Sequence, residues 1–120
     1  MTAAPFVILY VEDNDDIREW YAELLTTAER RIVSVANAAG AREALRAQSV
    51  NLLMTDIRLP DGSGLDVAYE ALRQNPRLPV VVCSGNDLSD VVRLLGPTAH
   101  PLRKPFDLDD LEALIDRLSR

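Results

Sequence analysis

Five short apolar runs alternate with longer amphipathic segments along this chain of 120 residues. The runs occupy residues 6–11, 31–35, 52–56, 79–83 and 100–103, and each one ends in polar or turn-forming residues. Continuous apolar runs of this length, bounded by turn signals, are typical of strands that are buried on both faces. The fifth run contains Pro101, which cannot donate to a ladder, and we therefore expect a poor strand there.

The segments between the runs carry apolar residues at helical spacing. Behind the first run, Ile17, Trp20, Tyr21 and Leu24 share one face of a predicted helix, which suggests that this face belongs to the core or its flank. Further helices are predicted before residue 52, over residues 64–74 and 87–95, and after a cap at Asp107. Strands that alternate with helices through short connections predict one α/β domain, with a five-stranded parallel sheet covered by helices on both faces.

Composition narrows the class of protein without indicating a function. A net charge of −6 argues against nonspecific binding to nucleic acid or to acidic membranes. No apolar run approaches the roughly 20 residues of a membrane-spanning helix, and the first residues do not resemble a signal peptide. The single cysteine, Cys83, lies in an apolar run and is expected to be a buried thiol. These features predict a cytoplasmic domain.

Polar side chains follow four of the five predicted strands. Glu12 and Asp13 come after the first, Asp56 ends the third, Ser84 follows the fourth and Lys104 follows the fifth. Because the carboxyl ends of parallel strands meet at one edge of a sheet, we expect these side chains to lie close together.

Three neighbouring carboxylates repel one another unless they share a proton or bind a cation. Oxygen ligands of this kind suit Mg²⁺, which keeps several waters and leaves room for a phosphate oxygen. A carboxylate beside the metal can attack phosphorus, while an ammonium and a hydroxyl neutralise the transferred oxygens. The pattern therefore indicates a Mg²⁺-dependent phosphoryl site.

These residues resemble the receiver domains of two-component response regulators, and the likeness covers residues 1–120 essentially throughout. The motifs that carry the likeness, in chain order, are Val11-Glu12-Asp13, Asp56 with Pro60 and Gly64, Ser84-Gly85, and Lys104-Pro105-Phe106. The resemblance implies a flavodoxin-like, doubly wound fold with strand order 2-1-3-4-5 and five helices.

The resemblance also implies a role for each acid of the cluster. Asp56 would be the nucleophile and phospho-acceptor. Glu12, Asp13 and Asp56 would hold Mg²⁺ together with the backbone carbonyl of Arg58.

Further roles follow for residues at the last two strands. Lys104 would pair with Asp56 and then with the phosphoryl group, and the Lys104–Pro105 peptide bond would be cis. Ser84 would move toward the phosphoryl oxygens, and the loop that follows it would move with it. A serine at a strand end also commonly forms a hydrogen bond with the backbone of its own loop.

Receiver domains take their phosphoryl group from a phosphohistidine. The resemblance therefore implies a histidine kinase or a histidine phosphotransfer protein as the partner, with the first and last helices as the docking face. It further implies a downstream protein target of unknown identity. The chain would act as a switch that catalyses only its own phosphorylation and dephosphorylation, and not as a turnover enzyme.

One position departs from the family pattern. Pro101 stands where relatives carry a Tyr or Phe that swings inward on activation. We therefore expect the signal to be read mainly from movement of the loop that begins at Ser84 and Gly85. Asn86 in that loop and Arg58 flank the expected path of an attacking water and are candidates for tuning the lifetime of the phosphoryl group.

Two other functions stay open on the sequence alone. The first is a pseudo-receiver that binds proteins without being phosphorylated, which the missing aromatic at Pro101 favours. A Mg²⁺-dependent hydrolase of the haloacid dehalogenase type would carry a second Asp where this chain has Arg58. The only histidine, His100, has no second histidine or cysteine to support a metal site.

Overall fold

A five-stranded parallel sheet with helices on both faces forms the core of the computed structural model, which describes residues 4–119. The seven strands in chain order are β1 (Phe6–Val11), β2 (Arg30–Val35), β3 (Leu52–Asp56), β4 (Arg58–Leu59), β5 (Gly62–Ser63), β6 (Val80–Ser84) and β7 (Ala99–Arg103). The main sheet has the order β2-β1-β3-β6-β7, whereas β4 and β5 form a separate antiparallel hairpin. Counted within the main sheet, this is the expected order 2-1-3-4-5, and the α/β fold is confirmed.

Five helices connect the strands: α1 (Asp15–Leu25), α2 (Ala38–Ala47), α3 (Gly64–Gln74), α4 (Ser89–Leu95) and α5 (Leu108–Leu118). The first one starts at the N-cap Asn14, whose side chain accepts the backbone N–H of Ile17 at 3.0 Å. None of the helices in the described part of the chain is both long and apolar enough to cross a membrane.

Side chains that alternate along the central strands build two apolar layers. On one face, Leu9, Val11 and Leu53 pack with buried residues of α2 and α3. On the other face, Ile8 and Met54 pack with buried residues of α1 and α5. Because both faces of β1 and β3 are buried, the sequences of these strands are continuously apolar and do not alternate between apolar and polar residues.

The edge position of β7 explains how the chain tolerates Pro101 in a strand. The N–H of Val80 donates to the Thr98 carbonyl, and the N–H of Lys104 donates to the Ser84 carbonyl. Backbone groups of successive strand residues face opposite sides, so Pro101 turns its nitrogen to the free edge and not to β6. The expectation of a poor strand was therefore wrong, since no ladder bond is lost.

The helices differ from expectation in burial and in their first residues. On α1, Trp20 is 55% exposed and Ile17 is 41% exposed, so these two residues of the apolar stripe are not core, whereas Tyr21 packs against the apolar layer and Leu25 is fully buried. The fourth helix begins at Ser89 and not at residue 87. Asp107 is the N-cap of α5, but its side chain makes no capping hydrogen bond.

Candidate functional site

Three acids meet at the carboxyl edge of the sheet. Asp56 is the last residue of β3, and Glu12 and Asp13 directly follow β1. One carboxylate oxygen from each of the three lies within 4.8 Å of the others. Glu12 is only 4% exposed and Asp56 only 9%, whereas Asp13 is exposed. The convergence expected from the sequence is therefore present.

Lys104 completes this cluster from the end of β7. Its ammonium lies 2.7 Å from Asp56 Oδ1 and 3.6 Å from Glu12 Oε1. Partial burial alone lowers the pKa of Lys104, but the hydrogen bond and charge of Asp56, with a contribution from Glu12, raise it above its ordinary value. Lys104 is thus held as a cation beside the acids. The Lys104–Pro105 peptide bond is cis.

Local hydrogen bonds fix the direction of Glu12. Its Oε2 accepts the backbone N–H of Asn14 at 3.1 Å, and its backbone carbonyl accepts Arg18 Nη1 at 2.9 Å. Arg18 in turn pairs with Asp15 at 2.6 Å. The turn between β1 and α1 is therefore ordered by side chains of α1, which leaves one oxygen of Glu12 directed toward Lys104.

An open cleft of about 600 Å³ lies above the acids. Arg58, Ser84, Gly85 and Asn86 line it together with the acids and Lys104. Ser84 Oγ accepts the backbone N–H of Asn86 at 3.1 Å, the own-loop bond that is usual for such a serine. All the loop residues singled out from the sequence thus border the same cleft. A larger cavity of about 760 Å³ lies at the opposite end of the sheet, far from the acids.

A smaller, mainly apolar cavity of about 360 Å³ adjoins the acids on the side of α1 and α5. Tyr10, Tyr21, Cys83 and Phe106 belong to its walls. Burial, followed by the charge of Glu12, raises the pKa of Tyr10 above its ordinary value. Burial and then Asp56 raise the pKa of Cys83, so both groups stay neutral at pH 7.

Two residues considered from the sequence lie outside the cleft. Pro101 is exposed on β7 and does not line the cleft. His100 is partly buried, and burial together with the charge of Arg117 lowers its pKa. Within residues 4–119 the only acid, histidine or cysteine cluster with metal-ligand spacing is Glu12, Asp13 and Asp56, so His100 has no part in one.

The contacts of two residues near the site were not predicted from the sequence. Thr55, fully buried, donates its hydroxyl to the Asp56 carbonyl at 2.9 Å. Asp61, read only as part of a turn, accepts backbone N–H groups of Ala38 and Ala39. An Asp before a Gly signals a turn, but no local pattern shows that it also caps a helix elsewhere in the chain.

The donor set fits a magnesium ion. Three carboxylates offer hard oxygen atoms at one open end of the sheet, and the exposed side of Asp13 leaves space for water ligands. Among residues 4–119, Lys104 is the cation that forms ion pairs with this cluster of three acids, so an additional cation relieves the repulsion that remains among them.

The sequence model named Response regulator receiver domain matches residues 8–116 of the chain. The chain belongs to the response regulator receiver family. This confirms the resemblance drawn from the motifs at the four strand ends.

Several named proteins are similar to this receiver domain in sequence. CpdR, the response regulator receiver protein of Brucella abortus strain 2308, is 32% identical over 117 residues, which cover 92% of this chain and 94% of CpdR. The response regulator protein PilR of Pseudomonas aeruginosa is 36% identical over 109 residues. That match covers 89% of this chain, which spans only 24% of PilR.

Solved structures support the same fold. The chemotaxis response regulator CheY4 of Vibrio cholerae superposes with a TM-score of 0.83 at 20% identity, over 98% of this chain and 99% of CheY4. A two-component response regulator from Clostridium difficile superposes with a TM-score of 0.84 at 20% identity, over 95% of each chain. At this identity the likeness shows the architecture of the receiver domain and nothing finer.

Proposed function

We propose that this receiver domain is a phospho-acceptor switch of a two-component or phosphorelay system. A phosphoryl group passes from a phosphohistidine to a carboxylate oxygen of Asp56, and the domain then changes conformation toward a protein target. One observation carries the proposal: the contact of Asp56 with Lys104 at 2.7 Å, within a cluster of three acids.

The transfer needs an attacking oxygen in line with the bond that breaks. The Asp56 oxygen forms a bond to phosphorus while the P–N bond of the phosphohistidine breaks, and the imidazole, which carries a proton on its other ring nitrogen, leaves as the neutral base. Glu12, Asp13 and Asp56, with the carbonyl of Arg58, are the residues that would hold Mg²⁺. When bound, the ion neutralises charge on the transferred oxygens.

Lys104 provides the second positive charge. Its ammonium already contacts Asp56, so a short movement brings it to an oxygen of the new phosphoryl group. Ser84, whose carbonyl accepts the Lys104 N–H, also borders the cleft, and its hydroxyl accepts the Asn86 N–H. When the Ser84 hydroxyl turns to donate to the phosphoryl group, its oxygen moves away from the Asn86 N–H. The loop over residues 84–87 then loses this hydrogen bond and is displaced.

The loop is also the part of the domain from which we expect the signal to be read, because Pro101 has no rotating side chain. Amide exchange of the domain with and without a phosphoryl mimic measures this. The expected result is altered exchange across residues 84–87, while changes confined to α1 and the metal site would contradict it.

The surface of α1 supports a histidine kinase or a histidine phosphotransfer protein as the partner. Ile17, Trp20 and Leu24 are each more than a third exposed and follow one another at helical spacing, and Ile17 borders the cleft. A run of large exposed apolar side chains is characteristic of a protein contact surface. The proposal implies a location in the cytoplasm, where such phosphodonors act.

Incubation with acetyl phosphate and Mg²⁺, followed by intact mass measurement, tests the proposal. The expected result is a gain of one phosphoryl group that requires Mg²⁺ and is absent in Asp56→Asn. The matched control is Asp66→Asn, which removes an equal charge from an exposed position on α3 and should keep the adduct.

Other outcomes of the same experiment favour other functions. No adduct in the wild type would indicate a pseudo-receiver that binds proteins without phosphorylation. Steady release of phosphate from simple phosphate esters would indicate a hydrolase, and it would contradict the proposal that this domain is a switch and not a turnover enzyme.

A further inference from the structure

Asp61 joins the hairpin that follows Asp56 to the start of helix α2. Its Oδ1 accepts the backbone N–H of Ala38 at 2.7 Å, and its Oδ2 accepts that of Ala39 at 3.0 Å. Ala38 and Ala39 are the first two residues of α2, 23 and 22 positions before Asp61 in the chain. One carboxylate therefore bridges two segments through both of its oxygens.

This arrangement is favourable at a helix start. The first backbone N–H groups of a helix lack partners within the helix, and negative charge there is stabilised by the helix dipole. The two backbone hydrogen bonds lower the pKa of Asp61, which keeps the carboxylate ionised at neutral pH. The contact is thus charge-assisted on both oxygens.

Helix α2 also has an N-cap of its own. The side chain of Asn37 accepts the N–H of Gly40 at 2.8 Å, which is the ordinary capping contact. Asp61 therefore contacts a helix that already has a cap. What Asp61 adds is an attachment of its own hairpin to that helix.

The hairpin has few other attachments. It consists of two residue pairs, Arg58 with Ser63 and Leu59 with Gly62, and Leu59 is its one buried residue. Across residues 57–63 as described, two side chains make hydrogen bonds to another element: Asp61 bonds the start of α2, and Ser63 Oγ accepts the Leu65 N–H at the start of α3 at 3.1 Å, so Asp61 is the one that ties the hairpin to α2. A short exposed hairpin with few contacts opens easily unless it is tied down.

The hairpin begins two residues after Asp56, and it contains Arg58. We propose that Asp61 is a positioning residue for the metal and phosphoryl site, because it fixes the hairpin and the Arg58 carbonyl against α2. Asp61 itself touches neither the acids nor the transferred group. The inference rests on the proposed function, since it concerns how well the Mg²⁺ ligands are prearranged.

Calorimetric titration of the domain with Mg²⁺ tests this role, with Asp61→Ala and Asn37→Ala as matched variants. Each variant removes one cap of α2, but only Asp61→Ala releases the hairpin. Loss of a residue that supports a metal ligand weakens metal affinity by about tenfold. We expect an increase of about this size in the Mg²⁺ dissociation constant of Asp61→Ala, and an increase of less than about twofold for Asn37→Ala.

Two further readouts separate positioning from plain helix capping. Asp61→Asn keeps one acceptor oxygen and should recover part of the Mg²⁺ affinity. Amide exchange of residues 57–63 should accelerate in Asp61→Ala but not in Asn37→Ala. Unfolding curves of both variants establish that they are folded at the titration temperature.

Equal Mg²⁺ affinity in the two alanine variants would overturn the inference and leave Asp61 as a second helix cap. A wild-type domain that binds no Mg²⁺ would instead overturn the proposed metal site, and the inference with it. Wild-type binding that Asp61→Ala leaves unchanged would overturn the inference alone.

Discussion

Gly64 lies against the backbone carbonyl of Asp56 so closely that a Cβ atom at residue 64 would overlap the carbonyl oxygen and crowd Thr55 Oγ1. The same carbonyl accepts the hydroxyl of Thr55 at 2.9 Å. The start of α3 therefore approaches the end of β3 in a way that only glycine permits. The sequence motif Asp56 to Gly64 thus has a steric reason that involves the acid itself.

Gly64→Ala should destabilise the domain and disturb Asp56. Overpacking against backbone costs about 1–3 kcal/mol of the free energy of unfolding, and the shift acts directly on the residue that carries the acid. Urea denaturation measures the first effect and the yield of phosphoryl adduct measures the second. Gly85→Ala is the control, because a Cβ at residue 85 meets no atom within 4 Å and should change stability by less than about 0.5 kcal/mol. Equal losses in both variants would refute the steric explanation.

Mg²⁺ should stabilise the domain through the acid cluster. A ligand at a hundred times its dissociation constant adds about 2.7 kcal/mol to the free energy of unfolding. Asp13→Asn should lose most of this gain, yet be no less stable than the wild type without Mg²⁺, because it relieves repulsion between the acids. Thermal unfolding with Mg²⁺ and with EDTA measures both effects.

The control for the metal prediction is Asp16→Asn, which removes an equal charge from an exposed position in the first turn of α1. It should keep the stabilisation by Mg²⁺. If both variants lost it equally, the effect would be one of overall charge and not of a metal site.

The contribution of Asp61 to stability should depend on pH. Its folded pKa lies below the ordinary value of 3.8 because of the hydrogen bonds from Ala38 and Ala39. The stabilisation is therefore complete above that ordinary value and is lost as the pH falls through the lower folded pKa. The difference in unfolding free energy between wild type and Asp61→Asn should be constant near neutral pH and shrink below about pH 4. A difference that persists unchanged in acid would show that the charge of Asp61 is not involved.

Cys83 should react slowly with thiol reagents in the native domain. It is 3% exposed, and burial raises the pKa of its thiol, so almost no thiolate is available at pH 8. Alkylation followed by mass measurement should give little product in buffer and complete product in denaturant. Fast alkylation of the folded domain would mean that the apolar cavity beside Cys83 opens to the reagent.

Trp20 and Leu25 on α1 should differ sharply in their effects on stability. Leu25 is fully buried, and its replacement by alanine should cost about 2–5 kcal/mol. Trp20 is 55% exposed and contacts Tyr21 edge-to-face at 5.0 Å between ring centroids, so Trp20→Ala should cost about 1 kcal/mol or less. Chemical denaturation compares the two. A loss at Trp20 as large as that at Leu25 would show that Trp20 is part of the core.

The strands were the most predictable elements, because burial on both faces leaves uninterrupted apolar runs such as residues 6–11. The acid cluster followed from these strands, since parallel strand ends share one edge. The exposure of Ile17 and Trp20 on α1 could not be predicted, because helical spacing shows that apolar residues share a face but not whether another element covers that face. Asp61 could not be predicted for a different reason: its partners lie 22 and 23 residues away, and only the folded chain brings them together.

Pro101 has a consequence for self-association that its role in signalling does not suggest. The outer side of β7 is a free sheet edge, where unpaired N–H groups invite a strand of another molecule. The N–H of Ala99 already donates to the Gly96 carbonyl, and Pro101 in the middle of that edge has no N–H, so along β7 an added strand would find an outward donor only at Arg103. The proline thus protects this flank of the sheet against edge-to-edge aggregation.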